Sequence, residues 1–270
     1  MTTDSRMIRF AKAHACANDF LIVEGECDRE LAVRLCARNT GVGADGIEFL
    51  EWTGEKTGRI RLANADGSIA EISGNGTRCV AAWIAHEKQV PVDEIIVLET
   101  DAGRRECRLV SAEGHSFRFA AGMGVPVVED KLIELSDGAR VPGVAVSTGN
   151  PHFVIFVDNM TFDAHERPWE LLGYEICQHV EFPGGTNVEF VRVMDTNRIE
   201  IRIYERGVGP TRSSGTGTCA AAAAAIARSG GSSRLVVRAP GGEQAVDWPR
   251  AGAEMVLTGP AELICTGEAW

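Results

Sequence analysis

Ser73-Gly74-Asn75-Gly76-Thr77-Arg78-Cys79-Val80-Ala81-Ala82 recurs later in the chain, with one residue deleted, as Ser214-Gly215-Thr216-Gly217-Thr218-Cys219-Ala220-Ala221-Ala222. Each copy opens an apolar, alanine-rich stretch, and the pattern is too specific for low complexity. The likeness runs outward in both directions. Asn64-Ala65-Asp66-Gly67 begins nine residues before Ser73, and Glu205-Arg206-Gly207 begins nine residues before Ser214. Further upstream, Asn18-Asp19-Phe20-Leu21-Ile22-Val23 resembles Asn150-Pro151-His152-Phe153-Val154-Ile155; downstream, Asp101-Ala102-Gly103 resembles Ala239-Pro240-Gly241-Gly242. Self-similarity of this kind marks a duplicated unit. It predicts one half over residues 1–125 and a second over 126–260, with residues 261–270 a candidate to return to the first half.

Within each half the pattern predicts strands around one long central helix. Phe20–Val23, Ile95–Glu99, Phe153–Val157, Val188–Val193, Ile199–Tyr204 and Arg234–Arg238 are short β-rich runs punctuated by Gly, Pro, Asp and Asn, the signature of strands and turns. Thr77–Glu87 and Thr218–Arg228 are alanine-rich, which gives high helix propensity with little side-chain bulk. A helix that is small on every side suits close approach all round, as in a helix wrapped by a curved sheet. Asp28–Asn39, with apolar Leu31, Val33 and Leu35, reads as an outer helix.

The bulk numbers restrict the functional classes. The chain has 270 residues and 44% hydrophobic composition, enough for a substantial core. With 27 Lys+Arg against 38 Asp+Glu the formal net charge is −11, a field that repels phosphate backbones and anionic lipid. No apolar run approaches the ~20 residues needed to cross a bilayer, and Met1–Arg9 lacks the basic and apolar regions of a secretory signal. The expectation is a cytoplasmic protein with neither a nucleic-acid nor a membrane partner; a homodimer stays open. The eight cysteines are scattered, with no Cys-x-x-Cys pair and no Cys/His cluster at zinc spacing, which argues against disulfides and a structural metal. Most sit among apolar or small neighbours, where a free thiol behaves as a small hydrophobe.

The repeated motif itself reads as a site. Ser-Gly-x-Gly-Thr before a helix leaves the first N–H groups without helical partners, and the glycines let a ligand approach the main chain. Together with the helix dipole this favours a carboxylate or phosphate. Taken singly, Ser73 or Ser214 reads as an ordinary N-cap. Two copies, if the halves pack about a pseudo-twofold, would present like groups to opposite sides of one small ligand. That is the requirement of a one-carbon stereoinversion, in which one group removes the Cα proton and another delivers a proton to the opposite face. No pyridoxal-phosphate lysine site is evident. Gly41-Val42-Gly43-Ala44-Asp45-Gly46 is only superficially a dinucleotide fingerprint, since no strand clearly precedes it.

With these residues in view, the chain resembles the diaminopimelate epimerase family over nearly its whole length. His14-Ala15-Cys16-Ala17-Asn18-Asp19-Phe20, Gly41–Gly46, Asn64-Ala65-Asp66-Gly67-Ser68, Gly149-Asn150-Pro151-His152 and Tyr204-Glu205-Arg206-Gly207-Val208-Gly209 match family motifs in the same order. The resemblance implies an α/β (α+β) fold of two pseudo-symmetric domains, each a curved, mainly antiparallel sheet around a central helix. It implies a cofactor-independent isomerase that inverts one Cα of L,L-2,6-diaminopimelate to the meso form by two-base proton transfer, in lysine and cell-wall precursor synthesis. It also implies that Asn18, Asn64, Asn150, Asn187, Glu205 and Arg206 bind this amino-acid substrate, and that Gly74, Asn75, Gly215 and Thr216 hold the carboxylate of the reacting centre through their backbone. Taken alone, the asparagines read as turn formers and Glu205 with Arg206 as a solvated pair; order, spacing and duplication favour the site.

The departure from the family lies at the centre of the chemistry. Its two catalytic cysteines begin Cys-Gly-Asn-Gly and Cys-Gly-Thr-Gly; here both are serine, Ser73 and Ser214. A thiol of pKa about 8.5, lowered at a helix start, gives a thiolate near neutrality. A hydroxyl needs a neighbour to take its proton. The family pairs its cysteines with a His and a Glu that correspond to His152 and Glu205, so Ser73 with His152 and Ser214 with Glu205 are the expected dyads. Two alternatives stay open: a racemase or dehydratase acting on another amino or hydroxy acid, and a non-catalytic amino-acid binder.

Overall fold

The computed structural model describes residues 7–229 and 233–270; most of Met1–Arg9, read above for a secretory signal, lies outside them. Two compact units result, one running up to Ala121 and including Gly259–Trp270, the other Gly122–Thr258. Both are sheet-rich α+β with few helices, the pseudo-duplicated architecture expected from the motifs.

The first unit runs β1 (Ile8–Ala15), β2 (Asn18–Glu24), α1 (Arg29–Cys36), β3 (Gly46–Gly54), β4 (Thr57–Asn64), β5 (Ile69–Ala70), α2 (Gly74–Glu87), β6 (Ile95–Thr100), β7 (Gly103–Glu113) and β8 (Ser116–Gly122). Pairings β2–β3 and β4–β6 are parallel, while β1–β2, β3–β4, β6–β7 and β7–β8 are antiparallel. The second unit repeats the order after one additional strand, β9 (Val127–Glu134): β10 (Arg140–Ser147), β11 (Pro151–Val157), α3 (Trp169–Cys177), β12 (Asn187–Asp195), β13 (Arg198–Glu205), β14 (Gly209–Thr211), α4 (Gly215–Ser229), β15 (Arg234–Ala239), β16 (Gly242–Asp247) and β17 (Val256–Ala269). Its parallel pairs, β11–β12 and β13–β15, fall at the corresponding places. The start of β17 pairs with β16, and its later residues pair antiparallel with β1.

The alanine-rich helices are cores in themselves. Cys79, Val80, Ala81, Ala82, Ile84 and Ala85 of α2 are buried with residues of β1, β2, β4, β6 and β7. Every residue from Cys219 to Ala224 of α4 is fully buried among Val154, Val191, Ile201, Ile203 and Val237. Small side chains on all faces allow this enclosure, as the composition predicts. The outer helix is shorter than Asp28–Asn39: Asp28 caps it by accepting the Leu31 N–H, and it ends at Cys36. Gly41–Asp45 leads into the strand β3 rather than opening a helix, so the dinucleotide reading fails on its own terms. No helix among the described residues is long and apolar enough to cross a membrane.

Candidate active site

Ser73 and Ser214 are both helix N-caps, the plainest reading of their sequence. Ser73 has extended backbone, and its Oγ accepts the Gly76 N–H at 3.1 Å. Ser214 Oγ accepts the Gly217 N–H at 3.3 Å. The carbonyls of Ser73 and Ser214 accept the N–H groups of Thr77 and Thr218 at 2.8 and 3.0 Å. Counted from these caps the helices match without a gap, so Arg78 stands opposite Cys219 and Cys79 opposite Ala220; the deletion in the sequence alignment is not a deletion in the helix. Space over both starts is open to a ligand. A Cβ on Gly74 would touch nothing, and one on Gly215 would meet only Leu257 at 3.5 Å. First-turn N–H groups there have no carbonyl one turn earlier, which makes each start attractive to a carboxylate.

In the first unit a polar chain leads to α2. Arg78 Nη2 donates to Asn75 Oδ1 at 2.5 Å, Asn75 Nδ2 to Asn18 Oδ1 at 3.2 Å, and Asn18 Nδ2 to Asp45 Oδ2 at 2.6 Å. Arg38 bridges Asp45 and Asp19, and Lys12 lies 3.1 Å from Asp19. These cations outweigh the burial of Asp19 and hold its carboxyl below the usual range. Asn18 and Asn75 are thereby fixed to one another. Asn64, at the end of β4, donates to Ser68 Oγ at 2.9 Å and so also shapes its turn.

The second unit gathers most of the titratable groups. His152, 1% exposed on β11, has Nδ1 2.8 Å from Glu189 Oε1 and Nε2 3.0 Å from Asn150 Oδ1. Asn150 in turn donates to Thr216 Oγ1 in the first turn of α4 at 3.4 Å. Glu205 Oε1 accepts the Thr211 hydroxyl at 2.9 Å, and Ser214 lies near enough to favour its carboxylate. Burial, with the nearby Glu189 charge, raises Glu205 above the ordinary carboxylate range against the opposing effect of Thr211, Ser214 and His152. Glu189, fully buried, is likewise raised by burial, with His152 opposing. Asn187 Oδ1 accepts the Arg206 N–H at 2.9 Å. Glu205 and Arg206 are not a mutual ion pair: the Arg206 guanidinium reaches the Gly184 carbonyl and borders a cavity of about 580 Å³ with Tyr174, Phe182, Tyr204 and Val208. His152 and Asn150 border another of about 280 Å³.

The second-turn thiols have a different character. Cys79 and Cys219 are fully buried, and desolvation drives the Cys79 thiol far up. Six of the eight cysteines are buried and none is in a disulfide, Cys265 alone being exposed. Three acids to which sequence reasoning assigned no role stand beside these groups, Asp45 and Glu48 in the first unit and Glu189 in the second. The signal for the last two was a second, shorter repeat, Gly46-Ile47-Glu48-Phe49-Leu50 against Asn187-Val188-Glu189-Phe190-Val191. Each sets one acid inside an apolar strand.

The diaminopimelate epimerase family model matches residues 10–128 and 144–264. Among curated proteins, a diaminopimelate epimerase from Pelotomaculum thermopropionicum is 36% identical over 97% of this chain and 98% of its own. One from Corynebacterium glutamicum strain R is 37% identical over the same shares. Among solved structures, a PhzF-family phenazine biosynthesis protein from Bacillus anthracis gives a TM-score of 0.71 at 16% identity, covering 98% of this chain and 99% of that one. A hydroxyproline epimerase from Agrobacterium vitis gives 0.71 at 17%, covering 99% and 94%. At such identities the structural likeness is one of fold.

Proposed function

Given that the chain belongs to the diaminopimelate epimerase family and is an isomerase, we propose that it inverts one Cα of L,L-2,6-diaminopimelate to the meso form without a cofactor, as a cytoplasmic step of lysine and cell-wall precursor synthesis. The observation that carries the reading is the position of Glu205 near Ser214, a carboxyl raised by burial behind a helix-capping hydroxyl. A hydroxyl can act on a Cα proton when a neighbouring base accepts its own. In this reading the substrate carboxylate sits on the first-turn N–H groups at Gly74, Asn75, Gly215 and Thr216, which draw charge out of the acidified Cα–H. Ser73 and Ser214 act on opposite faces of that carbon, with His152, held by Glu189 and Asn150, as the second candidate proton carrier. Asn18, Asn64, Asn150, Asn187, Glu205 and Arg206 hold the remaining polar groups, and Arg206 suits the distal carboxylate of a long zwitterion.

Chiral chromatography after incubation with L,L-diaminopimelate should give the meso product, and calorimetry should give tighter binding of diaminopimelate than of alanine or proline. Arg206→Ala should abolish that preference. Equal affinity for short and long amino acids would favour a racemase of another substrate. Serine at both thiol positions favours a second reading, binding without turnover, which would appear as saturable binding with no meso product.

A further inference from the structure

Glu48 lies near the start of β3, against Gly76 in the first turn of α2. It is 1% exposed, its Oε1 has no hydrogen-bond partner among the described residues, and a Cβ built on Gly76 would overlap that oxygen. Gly76 is also the residue whose N–H is accepted by Ser73 Oγ. An orphaned carboxyl oxygen and the serine oxygen therefore both lie against one glycine, the first beside its α-carbon and the second at its amide. Only a residue without a side chain admits this approach.

The second unit contains the same arrangement with its partner in place. Glu48 stands in register with Ile22 of β2 and Leu62 of β4; Glu189 stands in register with Val154 of β11 and Ile203 of β13. Glu189 approaches Gly217 as Glu48 approaches Gly76, its Oε1 being 2.8 Å from a Cβ built there. His152, in register with Asn187, satisfies Glu189. The matching position in the first unit, in register with Gly46, is Phe20, and a phenyl ring offers no hydrogen bond to a carboxyl. A buried acid without a partner destabilises a fold, and its position beside the serine cap provides a task for it.

On the epimerase reading above, we propose that Glu48 is the proton acceptor behind Ser73, a positioning residue that acts through the serine directly or through one water. As the Cα–H bond breaks, its electron pair stays on Cα and its proton passes to Ser73 Oγ. The hydroxyl proton moves to Glu48, whose carboxylate becomes the neutral acid, and the reverse transfer restores both. One negative charge thus moves from Glu48 to the substrate carbon. Burial pushes the Glu48 carboxyl up to about 8, a better match to proton transfer near neutral pH than an ordinary carboxylate. Burial alone shifts Glu48; the titratable group it acts on is the Cys79 thiol of α2, which Arg78, Cys16 and Asp19 also influence, and β4 sets apolar Leu62 in register with it. Burial raises the Cys16 and Cys79 thiols, which leaves Glu48 a stronger acid than either and titrating ahead of both.

The test follows Cα exchange of L,L-diaminopimelate in deuterium oxide by mass spectrometry for the parent, Glu48→Gln, Glu48→Asp and Glu48→Leu, across about pH 6 to about pH 10. In the parent the rate should rise along a limb near 8. Glu48→Gln should lower kcat for exchange by about 100-fold or more, erase that limb and leave diaminopimelate affinity nearly unchanged, while Glu48→Asp restores part of the rate and of the limb. Glu48→Leu, which removes the unpaired polar group, should fold at least as stably as the parent and be equally slow, separating loss of the proton carrier from loss of the fold. Exchange by the parent together with an unaltered kcat and pH profile in Glu48→Gln overturns the relay alone. A parent that binds diaminopimelate and exchanges nothing overturns the epimerase reading, and the relay with it.

Discussion

A capping serine and a catalytic serine make opposite demands on one hydroxyl: the cap uses the oxygen as an acceptor, whereas proton transfer needs its hydrogen directed at a base. Ser214 accepts from Gly217 and has Glu205 close by as the base its hydrogen could be directed at. Ser73 accepts from Gly76 with Glu48 on the same glycine. Replacing both hydroxyls by nearly isosteric thiols, Ser73→Cys with Ser214→Cys, should raise Cα exchange by about 100-fold or more, because a thiol ionises near pH 8.5 and lower still at a helix start. Either change alone should permit exchange on one face only; inversion should need both. Cys79→Ala and Cys219→Ala should alter thermal stability while leaving turnover in place. Glu48 also makes a stability prediction. The folded protein keeps its proton up to about 8, whereas the group's ordinary value is 4.5, so between these values the native state binds more protons than the unfolded chain and stability falls as pH rises. Urea denaturation at intervals through that window should give a shallower decline for Glu48→Leu. Glu189 and Glu205, raised in the same direction, keep part of the slope in the variant, and an unchanged slope would mean that Glu48 is not protonated in the native state.

At the scale of elements, the alanine-rich runs disclosed α2 and α4, and their serine and glycine starts, because enclosure by a sheet leaves no room for large side chains and composition records that directly. Ala222→Leu in α4, at a fully buried position, should cost about 1–3 kcal/mol by overpacking, readable in the urea midpoint. Gly76→Ala should be destabilising because its methyl overlaps Glu48, and most of that cost should vanish in a Glu48→Ala background; equal costs in both backgrounds would contradict the contact. The helix α3 was not legible. It follows Pro168 with no side-chain cap, and Leu171 and Tyr174 are exposed among buried Leu172 and Ile176, so its apolar pattern has no clean face. Glu48 and Glu189 were missed for a related reason: an acid inside an apolar strand reads as a break in alternation until the matching strand in the other half is set beside it.

At the scale of the whole chain, duplication was the decisive signal, since two copies of a capped helix start turned a common structural device into a candidate site. The repeat extends to strand order, to the positions of the parallel pairs and to the register of the two buried acids. What the repeat concealed was asymmetry. The second unit holds His152, Glu189 and Glu205 in one hydrogen-bonded and electrostatically coupled group, while the corresponding positions of the first are Phe20, Glu48 and Asn64. One-to-one transfer between halves would give Phe20 the role of His152 and Asn64 that of Glu205, and their chemistry forbids it. The central claim, that serines with carboxyls behind them invert a carbon from two sides, is tested most directly by the isotopic and stereochemical outcome with L,L-diaminopimelate in deuterium oxide at early conversion. Two distinct proton carriers predict meso product carrying deuterium at the inverted carbon while recovered L,L substrate stays largely unlabelled. Deuterium accumulating in recovered L,L substrate ahead of any meso product, or binding with neither exchange nor inversion, would contradict it.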